Sequence, residues 1–202
     1  MRRFTGDSLL VATHNAGKLE EIANLLGPYG VRVIGAAEMN LPEPDETETT
    51  FTGNARIKAH AAARATGLPA LSDDSGIEIN DLDGAPGVYT ANWAETPNGR
   101  DFAMAMARAH DLLIQSGAPQ PWRARFCCTL VLAWPDGHDE VFPGTVEGQI
   151  VWPPRGSEGH GYDPIFQPQG HDVTFGEMDR WEKNRISHRA DAFRRLVTGC
   201  FD

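Results

Sequence analysis

The chain has 202 residues, with 18 Lys and Arg against 28 Asp and Glu, a formal net charge of −10, 41% hydrophobic and 23% charged residues. That length suits one large domain or two small lobes and buries a core without metal or disulfide staples; the negative field disfavours a nucleic-acid polymer but leaves room for a small anionic substrate wherever Lys and Arg cluster. No apolar run approaches the roughly 20 residues that span a bilayer, Met1-Arg2-Arg3-Phe4 lacks a signal-like apolar stretch, and Cys127, Cys128 and Cys200 do not make a disulfide framework, so a cytoplasmic address without a membrane partner is expected.

In chain order, Ser8 to Thr13 is a short apolar run of the kind that forms a buried strand. It stops at the turn-rich His14-Asn15-Ala16-Gly17-Lys18, after which Leu19, Ile22, Ala23, Leu25 and Leu26 recur at helical spacing until Gly27-Pro28. Val31 to Ile34 is a second strand. Strand, tight turn, helix, strand is the opening of an α/β sheet. An acidic, proline-containing loop runs from Glu38 to Thr50, and an Ala-rich helix follows from Thr52 to Thr66. Ala70-Leu71-Ser72 leads into Asp73-Asp74-Ser75-Gly76, read as an acidic turn, and Ile77-Glu78-Ile79 alternates like a strand. Asn98 is placed as the cap of a helix from Gly99 to Gln115, with Phe102, Met106 and Ala109 on one face. Arg123 to Trp134 and Val141 to Trp152 are predicted as a hairpin around Pro135-Asp136-Gly137-His138, belonging to a second lobe. Pro153 to Gly161 reads as a loop, Ser187 as the cap of a last helix, and Gly199 as its stop.

Three clusters put polar residues where packing would prefer apolar ones. Thr13 to Lys18 lies between a strand and a helix N-terminus, where backbone N–H groups and the helix dipole favour an anion; without P-loop spacing, it reads equally as an ordinary βα turn. Asp73-Asp74 suits a cation, with Glu46 as a second carboxylate source, because magnesium takes one or two carboxylates plus substrate phosphates; a solvated acidic turn is the alternative. Asp-Ser-Gly also evokes an aspartic protease, but that chemistry needs two such aspartates and this chain has one Asp-Ser-Gly. The third cluster, His160-Gly161-Tyr162-Asp163 with Lys183, Ser187, His188 and Arg189, offers rings to stack on a base and charges for its edges, although His188-Arg189 alone reads as a surface helix start. Asn54 and Lys58 share a helix face. No H-E-x-x-H or C-x-x-C occurs, so zinc is not expected.

Taken in order, Leu10-Val11-Ala12-Thr13-His14-Asn15-Ala16-Gly17-Lys18, Glu46-Thr47, Asn54-Ala55, Lys58-Ala59, Ser72-Asp73-Asp74-Ser75-Gly76, Gly84-Ala85-Pro86-Gly87-Val88-Tyr89, Gly161-Tyr162-Asp163-Pro164-Ile165-Phe166 and Ile186-Ser187-His188-Arg189 resemble the Ham1-like family of inosine/xanthosine triphosphate pyrophosphatases over nearly the whole chain. The resemblance implies one α/β pyrophosphatase domain, an elongated mixed sheet in two lobes with flanking helices and the nucleotide in the cleft between them. It also implies cleavage between the α- and β-phosphates, a homodimer, and Mg2+ as cofactor. It assigns Thr13, His14, Asn15, Ala16, Gly17, Lys18 and Lys58 to the triphosphate, Asp74 as general base, Glu46 with Asp74 as magnesium ligands, and Ser75, His160, Gly161, Tyr162, Asp163, Lys183, His188 and Arg189 to the rest of the substrate. His14 and His160 depart from the family pattern, which favours a small residue at the first position and Phe at the second. The competing readings are a pyrophosphatase for another modified nucleotide, a non-catalytic nucleotide-binding regulator, and the aspartic protease.

Overall fold

The protein is described by a computed structural model covering residues 1–201. Strands β1 (Ser8–Val11), β2 (Arg32–Gly35), β3 (Ala70–Ile79), β6 (Trp122–Ala133), β7 (Asp139–Ile150) and β8 (Phe166–Pro168) make a six-stranded sheet in the order β2-β1-β3-β6-β7-β8. β1 runs parallel to both β2 and β3, whereas β7 and β8 are antiparallel, so the sheet is mixed. Its helices are α1 (Ala16–Leu26), α2 (Phe51–Thr66), α3 (Phe102–Ser116), α4 (Arg180–Ile186) and α5 (His188–Cys200), and β4 (Glu95–Thr96) with β5 (Gly99–Arg100) forms a separate small ribbon. No helix among the described residues is long and apolar enough to cross a membrane.

The chain divides into two compact units, Met1–Asp74 with Thr129–Pro143 and Ala192–Asp202, and Ser75–Cys128 with Gly144–Asp191. In the first, alanines 55, 59, 62 and 63 of α2 pack with Leu10, Ala70, Val131 and Ala133. Small side chains let the helix lie close to the strands, which is why an Ala-rich segment of low apolar contrast is still fastened down. The second unit has an aromatic core of Trp122, Phe126, Tyr162, Phe166 and Phe175, closed by Ala105, Met106, Ala109 and Leu113 of α3. All three cysteines are buried free thiols. Burial pushes Cys127 up to about 12 and Cys200 up to about 11.

Several sequence expectations are corrected. Asp73 to Gly76 is not a turn: β3 runs unbroken through it. Asp101, not Asn98, caps α3, accepting from the Met104 N–H at 3.0 Å, because Gly99 and Arg100 are spent on the β4–β5 ribbon. The hairpin is not confined to one lobe; its turn half belongs to the first unit and its open half to the second. Lys183 sits on a further short helix, α4, beyond those expected from the sequence.

Gly199 does not stop α5, which continues to Cys200. A Cβ there would stand 2.5 Å from Met1 Sδ and 2.8 Å from the Phe142 ring, so this glycine is needed for close approach. Gly199→Ala is therefore expected to lower stability by about 1–3 kcal/mol through overpacking, outweighing alanine's helix preference of about 1 kcal/mol. Urea denaturation reads this directly; a gain in stability would mean that the two side chains simply step aside.

Candidate active site

In the first unit, α1 begins just beyond β1. Asn15 is its N-cap, and its side chain accepts from the Lys18 N–H at 3.1 Å, while its own N–H donates to Thr13 Oγ1 at 3.2 Å. Capping shapes this turn and leaves the N–H groups of Ala16 and Gly17 in the first, unpaired turn of the helix. His14 is exposed and lines a mainly apolar recess of about 110 Å3 with Ala12, Pro42, Lys58 and Ala62.

The adjacent aspartates both lie on β3 and are both buried. Their closest ion pairs differ, although the charge of Lys58 is felt by both. Lys18 Nζ lies 2.8 Å from Asp73 Oδ2. Asp74 is hydrogen-bonded by the Asn54 side chain and faces Lys58, whose Nζ stands 3.9 Å from Oδ1. The same Nζ donates to Glu46 Oε1 at 2.5 Å, bringing the acidic loop onto α2. Asn54 fastens that loop a second time by accepting from the Glu48 N–H at 2.9 Å. Asn54, expected to share a helix face with Lys58, is buried and holds Asp74 and the loop together.

Burial disfavours the charged form of Asp74. The Lys58 ammonium and the Asn54 hydrogen bond oppose that, Glu46 and Asp73 add to it, and the carboxyl is pushed up to about 6. Lys58 moves in the sense that keeps it charged: burial pulls it down, but Asp73, Asp74 and Glu46 outweigh the pull. A buried carboxylate titrating near neutrality, next to lysines, is the environment of a general base.

In the second unit, Asp163 is buried, accepts from the His160 N–H at 2.8 Å through Oδ2, and pairs on the same oxygen with Lys183 Nζ. Gly159 permits this loop: its φ is +73°, and a Cβ would stand 2.0 Å from Asp163 Oδ2. Lys183 Nζ also lies 5.2 Å from the Phe175 ring centre. Ser187 caps α5, accepting from the Ala190 N–H at 3.2 Å. His188 and Arg189 are buried, contrary to the surface reading, and the His188 ring stacks on Phe126 with centroids 5.1 Å apart. Phe126 gave no sign of this role in a strand of apolar residues. His160 is exposed and Ser75 half-buried. Tyr162 is 1% exposed, and its hydroxyl donates to the Thr90 carbonyl at 3.1 Å.

Comparison with known proteins adds to this geometry. The sequence profile of the Ham1 family matches residues 9–199. A curated protein of Ruegeria pomeroyi named dITP/XTP pyrophosphatase is 74% identical over 99% of this chain and 98% of its own length; one of the same name from Agrobacterium fabrum is 57% identical over the full length of both. Among solved structures, a HAM1 protein from Coxiella burnetii superposes with a TM-score of 0.90 at 37% identity, covering 95% of this chain and 97% of that one. A nucleoside-triphosphatase / dITP/XTP pyrophosphatase from Mycobacterium abscessus gives 0.76 at 35% identity, over 94% and 98%. With a match that spans nearly every residue from β1 to the end of α5, this chain belongs to the Ham1 family.

Proposed function

We propose that this chain is a cytoplasmic, homodimeric enzyme acting as one pyrophosphatase domain, which hydrolyses the triphosphates of deaminated purine nucleosides (inosine, deoxyinosine and xanthosine) to the monophosphate and pyrophosphate. The observation that carries the reading is the alternation of Lys18, Asp73, Lys58, Asp74 and Glu46, which joins two phosphate-neutralising cations to a carboxylate poised as a base. The relatives' names point to the same substrates.

Asp74 takes a proton from a water whose oxygen attacks the α-phosphorus. The new P–O bond forms as the bond from that phosphorus to the α,β-bridging oxygen breaks, and pyrophosphate leaves with its charge held by Lys18 and Lys58. The first turn of α1 receives phosphate oxygens on its N–H groups. Glu46 and Asp74 would hold Mg2+. They fit it: the Lys58 ammonium already stands as a cation against both carboxylates. Among the described residues no group of three or more His, Cys, Asp or Glu makes a complete metal site, in keeping with an ion that takes its remaining ligands from phosphate and water. When bound, magnesium supplies charge neutralisation at the phosphates.

Selectivity against adenine follows from donors alone. Arg189 has N–H groups and no acceptor, so it can pair with the 6-oxo group of hypoxanthine or xanthine and not with the 6-amino group of adenine. A buried donor left unpaired discriminates strongly. His188, the preceding residue, carries ring nitrogens of its own, and His160 is the exposed ring available to the base. Pyrophosphate release from inosine, xanthosine, guanosine, adenosine and uridine triphosphates, measured side by side with magnesium, tests the reading. Release from the first two above the rest is expected; equal rates on adenosine triphosphate would overturn the selectivity, and release from none would overturn the activity.

A further inference from the structure

We infer that Lys58 holds the carboxylates of Glu46 and Asp74 closed to a free divalent ion, so that the metal is admitted together with the triphosphate and not before it. The inference rests on the reading of those two carboxylates as the metal ligands and goes beyond it by assigning an order of entry and the residue that imposes it.

Three observations carry it. First, the ammonium is already in the acidic pair, 2.5 Å from Glu46 Oε1 and 3.9 Å from Asp74 Oδ1. An arriving dication would meet a like charge at that range. Second, Lys58 has nowhere equivalent to go in the free protein. Its side chain is 11% exposed, and the other carboxylate nearby, Asp73, is already paired with Lys18 at 2.8 Å. Third, the protein alone offers a divalent ion too little: among the described residues no set of three or more candidate ligands exists. A triphosphate changes all three conditions at once. Its oxygens give Lys58 a new anionic partner and add ligands for the metal, and its negative charge offsets the crowding of cations. Nucleotide and metal affinities must then rise together, since coupling between two ligands is reciprocal.

The test is Mn2+ binding to the whole chain, with free Mn2+ followed by electron paramagnetic resonance, and needs no turnover. Without nucleotide, Lys58→Met is expected to bind Mn2+ at least about tenfold more tightly than the parent, as removal of a like charge at this range requires. Lys58→Arg keeps the charge and should stay as weak as the parent, and adding Glu46→Gln to Lys58→Met should erase the gain. With the non-hydrolysable α,β-imido analogue of inosine triphosphate, the parent should retain Mn2+ beyond what the analogue holds alone. Should Lys58→Met fail to fold, Lys58→Gln carries the same expectation. Equal Mn2+ affinity in parent and Lys58→Met overturns the gate. Tight binding by the nucleotide-free parent that Glu46→Gln abolishes also overturns it, but leaves the metal assignment standing. No retention of Mn2+ by any form, with or without the analogue, removes both.

Discussion

Asp74→Asn is expected to abolish pyrophosphate release, by at least about a thousandfold, while making the metal-free protein harder to unfold. The two effects have one cause. Burial raises the carboxyl from 3.8 to about 6, so the native state binds this proton more strongly than the unfolded chain does. A group raised in this sense contributes stability that is fully present below the unfolded value and is lost as pH rises through the folded one. At pH 8 the ionised Asp74 therefore costs about 3 kcal/mol, and asparagine, neutral at every pH, removes the cost. At pH 5 the advantage of the variant should shrink to about half, because the parent is then largely protonated at this site. For a chain of this size the gain at pH 8 corresponds to a rise in melting temperature of about 5–10 °C. Magnesium with nucleotide should narrow the gap by stabilising the parent alone. Thermal melts of both proteins at pH 5 and pH 8, in chelator, check all of this; a less stable variant at pH 8 would show that Asp74 is not held against its solvation preference.

The largest loss of stability is expected at Asp163. Its side chain is 4% exposed and that of its partner Lys183 is 12% exposed. Asp163→Ala leaves a buried ammonium without its counter-charge and removes the acceptor of the His160 N–H. Breaking a buried pair from one side costs about 3–5 kcal/mol, a large part of a typical domain's stability of about 5–15 kcal/mol. The double variant Asp163→Asn with Lys183→Met should recover most of that, since no charge is then stranded and the asparagine oxygen still caps the loop. Its KM for inosine triphosphate should remain raised, because both groups assigned to substrate are gone. Urea denaturation and steady-state kinetics separate the two outcomes. A double variant as unstable as the single one would mean that the pair is not what holds the loop.

The strand-turn-helix opening and the α2 segment were legible from local signals, because apolar periodicity and capping residues act within a few positions. The ordered motifs pointed to the family for the same reason. Partners were not legible. Nothing in Asp73-Asp74 as a dipeptide says that Lys18 pairs with the first and Lys58 faces the second; those lysines lie far away in sequence, and the neighbouring serine and glycine suggested a turn in place of a strand. Tyr162 is polar enough to look like a ligand-facing ring, but its burial is decided by Phe102 and Thr90, far away in sequence. Gly199 has a helix-stop composition and a packing role. In each case a contact distant along the chain overrode a local preference.

The three buried thiols make the chain its own reporter of partial opening. Cys200 belongs to the first compact unit, and Cys127 and Cys128 to the second. With Cys127 and Cys200 pushed up to about 12 and 11, almost no thiolate exists at neutral pH, and the thiolate is the reactive form. Alkylation in native buffer must therefore await excursions that expose each sulfur to water. Peptide-resolved labelling rates would give the opening free energy of each unit separately, without an engineered probe.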